Sequence, residues 1–114
     1  MSPTLTLTNP KQNAVFHVND NVLVKATVTG GKSSELYKKN PVVQLTLQKN
    51  LAHPGPSSPL GSTHIRDLVD HGFTFKVLKK YLVISVKTSF YVFASYKDQG
   101  TDETAQSGVF TLKK

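Results

Sequence analysis

The sequence predicts an all-β fold: an immunoglobulin-like or fibronectin III-like antiparallel β-sandwich of seven to nine strands, forming one domain over residues 1–114. Three observations carry that expectation. Polar and apolar residues alternate with period two along short runs, as on half-buried strands. The runs are rich in β-branched and aromatic residues and are bounded by Gly, Pro, Asn and Asp. No convincing helix interrupts them. A closed barrel is the main competitor.

In chain order, Thr4 to Thr8 alternates and is stopped at Asn9-Pro10, because proline cannot donate to a strand ladder. Ala14 to Val18 is a second short extended piece, and Asn19-Asp20-Asn21 is a turn by composition. Val22, Val24, Ala26 and Val28 then alternate with Leu23, Lys25, Thr27 and Thr29, which predicts a core strand ended by Gly30-Gly31. Lys32 to Asn40 is polar and basic and reads as a loop. Val42 to Gln48 resumes the alternation, with Val43, Leu45 and Leu47 inward. Asn50 to Thr63 holds Pro54, Gly55, Pro56, Pro59 and Gly61 and reads as the longest irregular segment, of the kind that is usually functional or mobile.

His64 to His71 has no steady period and fits a short strand or a single helical turn. Phe73, Phe75 and Val77 share one face of a further strand. Three closing runs follow, Tyr81–Val86, Phe90–Tyr96 and Gly108–Leu112, with a polar loop from Lys97 to Ser107 before the last.

The length suits one domain that buries roughly two-thirds of its unfolded surface. That core must stand without disulfides, because the chain has no cysteine. No apolar run is long enough to span a membrane, and the N-terminus has no signal-like stretch. A soluble chain is expected, either cytoplasmic or exported by another route, or extracellular after removal of a signal. None of its asparagines opens a glycosylation sequon. The formal charge is +7, yet among 14 basic residues only Arg66 is an arginine. Specific nucleic-acid sites favour the bidentate arginine fork, so a lysine excess reads as general attraction to polyanions rather than specific nucleic-acid recognition.

Chemistry is sparse. His64, Asp67, Asp70 and His71 are the one close cluster of metal-ligand types, but two histidines seven residues apart lack a third ligand at a recognised offset. That segment reads as a polar connector, with no metal or other cofactor. No serine lies in a nucleophile-elbow context, cysteine is absent, and Gly30-Gly31 has no helix after it to cradle phosphate. The expectation is that the protein is not an enzyme. Tryptophan is also absent, so a sugar platform would fall to tyrosine; Tyr37 is the one tyrosine in a polar segment, while Tyr81, Tyr91 and Tyr96 read as strand rings packed inside or at an edge.

Two stretches at the chain ends resemble a known family. Thr6 to Pro10, Val15 to Asp20 and Val22 to Ala26 are similar to the opening of fungal Kre9/Knh1-like domains, the N-terminal Ig-like domain of Ser/Thr-rich GPI-anchored proteins. Phe90 to Ser95 and Thr104 to Leu112 are similar to that family's close. The tryptophan common on its second strand is replaced here by the Ala26-Thr27-Val28 region, and neither its secretion signal nor its Ser/Thr-rich tail is present in the sequence. The resemblance implies a noncatalytic sandwich associated with the fungal cell wall or with glycans. A looser, architectural likeness to small fungal immunomodulatory proteins leaves open a self-associating, lectin-like protein acting on host cell surfaces.

The expected function is therefore a binding or interaction module, with a glycan or cell-surface glycoprotein as partner and a homodimer left open. Its expected contact residues are Tyr37, Lys38, Lys39, His53 and His64, on or next to the irregular segments Gly31 to Asn40 and Asn50 to Thr63.

Overall fold

The computed structural model describes residues 4–50, 57–82, 87–98 and 100–114. Among these residues nine strands form two sheets: β1 (Leu5–Asn9), β2 (Val15–His17), β3 (Asn21–Val28), β4 (Val42–Lys49), β5 (Ser58–His64), β6 (Phe73–Lys76), β7 (Lys87–Asp98), β8 (Thr101–Gln106) and β9 (Phe110–Lys113). One sheet runs β1-β3-β6. The other runs β2-β9-β7-β4-β5, with β8 also paired to β7. The N-terminal strand thus splits between sheets, β1 against β3 and β2 against β9, around a central β4–β7 pair. That arrangement is an immunoglobulin-like sandwich.

Alternation places the core. Leu5 and Leu7 of β1, the four small apolar residues of β3, and Val43, Leu45 and Leu47 of β4 are all buried. On β7 the buried set is Phe90, Val92, Ala94 and Tyr96, which face Phe110 and Leu112 of β9 within the same core cluster. The ring of Phe16 meets Phe110 edge-on at 5.8 Å, which seats β2 on the core.

Several expectations are corrected. The pairing is antiparallel except between β2 and β9, which run parallel. The segment read as a loop from Lys32 to Asn40 holds a 3₁₀ turn at Gly31–Ser33 and a helix, α1 (Glu35–Lys39). Ser34 caps it by accepting from the Leu36 N–H, Leu36 is fully buried, and Asn40 ends it in the left-handed conformation. Of the two forms that residues 64–71 fitted, the helical one is found: α2 (Ile65–Asp70) buries Ile65 and Leu68 completely, so the segment is more than a polar connector.

The long irregular segment ends early: Ser58 to His64 is β5, an edge strand on β4, while His53 and the rest of 51–56 lie outside the described residues. Leu60 bulges out of that pairing between Pro59 and Gly61, a device that blunts an exposed edge. Tyr81 and Leu82, read as the start of a strand, belong to a 3₁₀ turn at Lys79–Leu82; residues 83–86 are outside the described set. The polar stretch after Lys97 is not a loop but the β7–β8 hairpin, paired from Phe93 opposite Gln106 to Asp98 opposite Thr101.

Between β8 and β9 the chain leaves the ladder for three residues, and Ser107 covers the gap. Its N–H donates to the Val92 carbonyl at 2.9 Å, and its hydroxyl accepts from the Val92 N–H at 2.9 Å. The linker joining β1 to β2 presses on the same spot. Gln12 accepts from the Val109 N–H through Oε1 at 2.8 Å, and a Cβ added to Gly108 would lie 2.6 Å from the Gln12 backbone nitrogen. Gly108→Ala must therefore push two backbone segments apart. We expect it to lower stability by about 1–3 kcal/mol, measured by urea denaturation.

Tyr96 joins the two sheets, its buried hydroxyl accepting from the Leu5 N–H at 3.3 Å. Burial raises this phenol above its ordinary value of 10.0; the Leu5 N–H pulls it back, and the carboxylates of Glu103 and Asp98 push it up again. A value raised in the folded state means that the neutral ring's contribution is whole below the ordinary pKa and fades as pH climbs through the folded one. Tyr96→Phe orphans the Leu5 N–H and should cost about 1–3 kcal/mol at neutral pH. The variant should also lose less stability than the parent between about pH 9 and pH 11, as read by denaturation across that range.

Candidate binding surface

The structure brings Tyr37, Lys38 and His64 to one corner of the sandwich, where α1 meets α2. Hydrogen bonds at this corner engage the Tyr37 hydroxyl and the Tyr37 and Lys38 carbonyls, while the Lys38 and His64 side chains stay exposed. The Tyr37 hydroxyl donates to Asp70 Oδ2 at 2.7 Å, and the Arg66 guanidinium lies 5.4 Å from the centre of the Tyr37 ring. Arg66 also donates from Nε to the Tyr37 carbonyl at 3.0 Å and from its terminal nitrogen to the Lys38 carbonyl at 2.8 Å. Its backbone N–H reaches Asn40 Oδ1 at 2.9 Å. The bond to Asp70 raises the Tyr37 phenol, burial and the same carboxylate's charge add to that, and Arg66 opposes it.

Tyr37 is thus a half-buried clamp between two helices, with one face covered by Arg66 and its hydroxyl engaged. Lys38 and Lys39 are exposed in the last turn of α1, where they complement the helix's negative end. His64 is exposed at the start of α2, opposite Val42. His71, the other histidine of the close cluster, caps the opposite end of that helix, seven residues along the chain. Asp70 is committed to Tyr37. Among the described residues no cluster of three or more His, Asp or Glu is disposed to hold a metal ion.

A different surface stands out on the six-stranded sheet. Because Phe90, Val92, Ala94 and Tyr96 face inward, Tyr91, Phe93, Ser95 and Lys97 face out. Gln48 pairs with Tyr91, Thr46 with Phe93 and Gln44 with Ser95 on one side. Gln106 pairs with Phe93 and Thr104 with Ser95 on the other. Tyr91 and Phe93 are therefore half-buried rings on a solvent face, set among amides and hydroxyls. The centre of this face, from β8 across β7 to β4, carries no charged side chain, in a protein whose formal charge is +7. Thr46 ties the two central strands by donating from Oγ1 to the Phe93 carbonyl at 3.4 Å.

Where the face meets the helical corner it dips into an open depression of about 400 Å³. Pro41, Val42, Ser95, Tyr96, Lys97 and Asp102 line it. Lys97 and Asp102 stand 3.9 Å apart across its rim, both largely exposed, and Val42 is 47 % exposed.

The sequence carried the signal for this face in the parity of β7, since Ser95 and Lys97 outward force Tyr91 and Phe93 outward too. Compared with protein-family models, curated proteins and solved structures, the chain finds no match. No helix among the described residues is long and apolar enough to cross a membrane.

The clamp yields a direct expectation. Arg66→Ala removes two side-chain bonds to carbonyls and uncovers Tyr37, which should lower stability by about 1–2 kcal/mol in thermal or urea melts. Arg66→Lys should recover little of that loss, because a single ammonium cannot reproduce the two-nitrogen fork.

Proposed function

We propose that the chain is a noncatalytic binding module that lays a neutral glycan across the outer face of its six-stranded sheet. The observation that carries this reading is the uncharged field around Tyr91 and Phe93, edged by Gln44, Thr46, Gln48, Thr104 and Gln106. Aromatic faces pack against the apolar C–H faces of sugar rings, while amides and hydroxyls exchange hydrogen bonds with ring hydroxyls. Both groups sit on strands rather than loops, so little ordering entropy is lost on binding. A field without charge selects against sulfated or uronic polymers, whose anions would seek the lysines elsewhere. The resemblance of the chain ends to wall-associated fungal domains supports a cell-wall glucan as ligand.

One observation favours a second reading. Charge depletion around half-buried aromatics also marks the centre of protein interfaces, so a second copy could seat face to face about a two-fold axis.

Retention on immobilised neutral polysaccharides, namely β-glucan, mannan and chitin, tests the first reading. Tyr91→Ala and Phe93→Ser should each weaken binding about tenfold or more, while Tyr37→Ala, away from the field, should leave it unchanged. If light scattering finds a dimer that the same two substitutions dissolve, and no polysaccharide retains the protein, the second reading replaces the first.

A further inference from the structure

Among the described residues the acids of this protein, all but Asp20, gather toward one end, where basic residues accompany them, and a group of lysines at the other end stands nearly without acids; this is not visible in the sequence. The turn after β2 is stapled to both sheets. Val18 N–H donates to the Lys113 carbonyl, Asn19 N–H to the Val77 carbonyl, and Val77 N–H to the Asp20 carbonyl, each at 2.9 Å. Register adds His17 opposite Lys113, Lys87 opposite Lys113 and Asn21 opposite Lys76. Lysines scattered across forty residues of chain are thereby drawn to one end. Lys76, Lys79, Lys80 and Lys114 are exposed there, Lys113 is half-buried, and His17 stands beside them.

Asp20 is the one acid among the described residues at this end, and it is occupied locally. Its Oδ2 accepts from the His17 N–H at 2.9 Å. Every other acid lies toward the far end, on the α1–α2 corner or the β7–β8 hairpin: Glu35, Asp67, Asp70, Asp98, Asp102 and Glu103. Strand β7 spans the distance. Its twelve residues reach about 40 Å at roughly 3.3 Å each, close to the 43 Å length of the molecule. At physiological salt the screening length is about 8 Å, so the far carboxylates do not offset the lysines. A partner at this end meets a lysine cluster with Asp20 as the one nearby acid among the described residues.

One apolar group sits inside the lysine field. Leu78 is 37 % exposed between Lys76 and the Lys79-Lys80 pair, while its neighbours Val77, Tyr81 and Leu82 are buried. We propose that this end is a docking surface for an anionic lipid bilayer. The lysines would face acidic headgroups and Leu78 would enter the acyl boundary. The chemistry of the patch separates this from other polyanions. It is built of lysines with no arginine, giving point charges suited to a diffuse plane of charge rather than forks suited to individual phosphates. An exposed leucine between Lys76 and Lys79 has no counterpart to meet on a nucleic acid or a sulfated polysaccharide, and a bilayer supplies one.

Sedimentation with phosphatidylcholine vesicles, with and without phosphatidylserine, tests the proposal on the whole chain. Binding should require phosphatidylserine and weaken as salt is raised. Lys79→Glu with Lys80→Glu should lower it by about tenfold or more, and Leu78→Ser should lower it several-fold while leaving the salt dependence in place. All three residues are exposed, and a thermal melt of each variant checks that the fold is kept. Three results would overturn the proposal: equal binding to neutral vesicles, no binding to either kind, or retention on heparin or duplex DNA without vesicle binding. The same holds if the double lysine variant binds phosphatidylserine vesicles like the parent.

Discussion

The parity of β7 is the constraint on which the rest of this structure depends. Its inward residues, Phe90, Val92, Ala94 and Tyr96, supply the middle of the core, and Tyr96 also joins β7 to β1 of the facing sheet. Of its outward residues, Tyr91, Phe93 and Ser95 are the axis of the uncharged field, and Lys97 stands at its rim. A slip of one residue against β4 would put a lysine into the core and take two rings from the surface, so burial fixes the register firmly. The same strand sets the distance between the lysine-rich end and the end that holds nearly all the acids. Core, face and charge separation thus follow from one twelve-residue segment.

Much of the fold was legible because one-sided burial writes itself into sequence. β1, β3, β4, β6 and the middle of β7 each bury one face and expose the other, and their alternation is plain. β8 was not legible for the opposite reason. Both of its faces are largely exposed, so Thr101 to Gln106 reads as polar loop although it is fully paired to β7. β5 carries Pro59 and Gly61, residues that argue against a strand unless it lies on an edge with a bulge. The helices span five and six residues, too few to establish a period of 3.6. Their signal lies in the caps instead, with Ser34 before Glu35 and Asn40 after Lys38-Lys39. Tyr81 and Leu82 misled in another way, because consecutive buried residues suit a 3₁₀ turn as well as a strand.

The binding surface was less legible than the fold, since a side chain's availability depends on partners remote in sequence. Tyr37 drew notice as an aromatic residue in a basic segment. Its hydroxyl acceptor lies 33 residues away, and its covering guanidinium comes from the same distant helix. Its hydroxyl and one ring face are engaged in holding the corner, which a sequence reading could not show. Tyr91 and Phe93 went the other way. They looked like strand rings, and their exposure follows only once the inward set of β7 is decided. The lysine cluster needed still more, namely the three backbone bonds that staple the turn after β2 between Lys113 and Val77.

Two surfaces of opposite character can operate on so small a protein because screening isolates them. Gln48 and Tyr91 lie several residues along their strands from Lys113, and each residue adds about 3.3 Å. That separation exceeds a Debye length of about 8 Å, so the centre of the face is largely screened from the lysine-rich end. A ligand on the face would be held by contact and hydrogen bonding, which respond weakly to salt. A partner at the lysine end would be held mainly by charge and would leave as salt rises. The two modes are therefore separable by ionic strength alone, and neither requires the sandwich to move. What makes this possible is charge placement: the middle of the outer face, around Tyr91 and Phe93, holds no lysine and can take an uncharged partner, while Lys76, Lys79, Lys80, Lys113 and Lys114 gather at one end with Asp20 as the one acid there among the described residues.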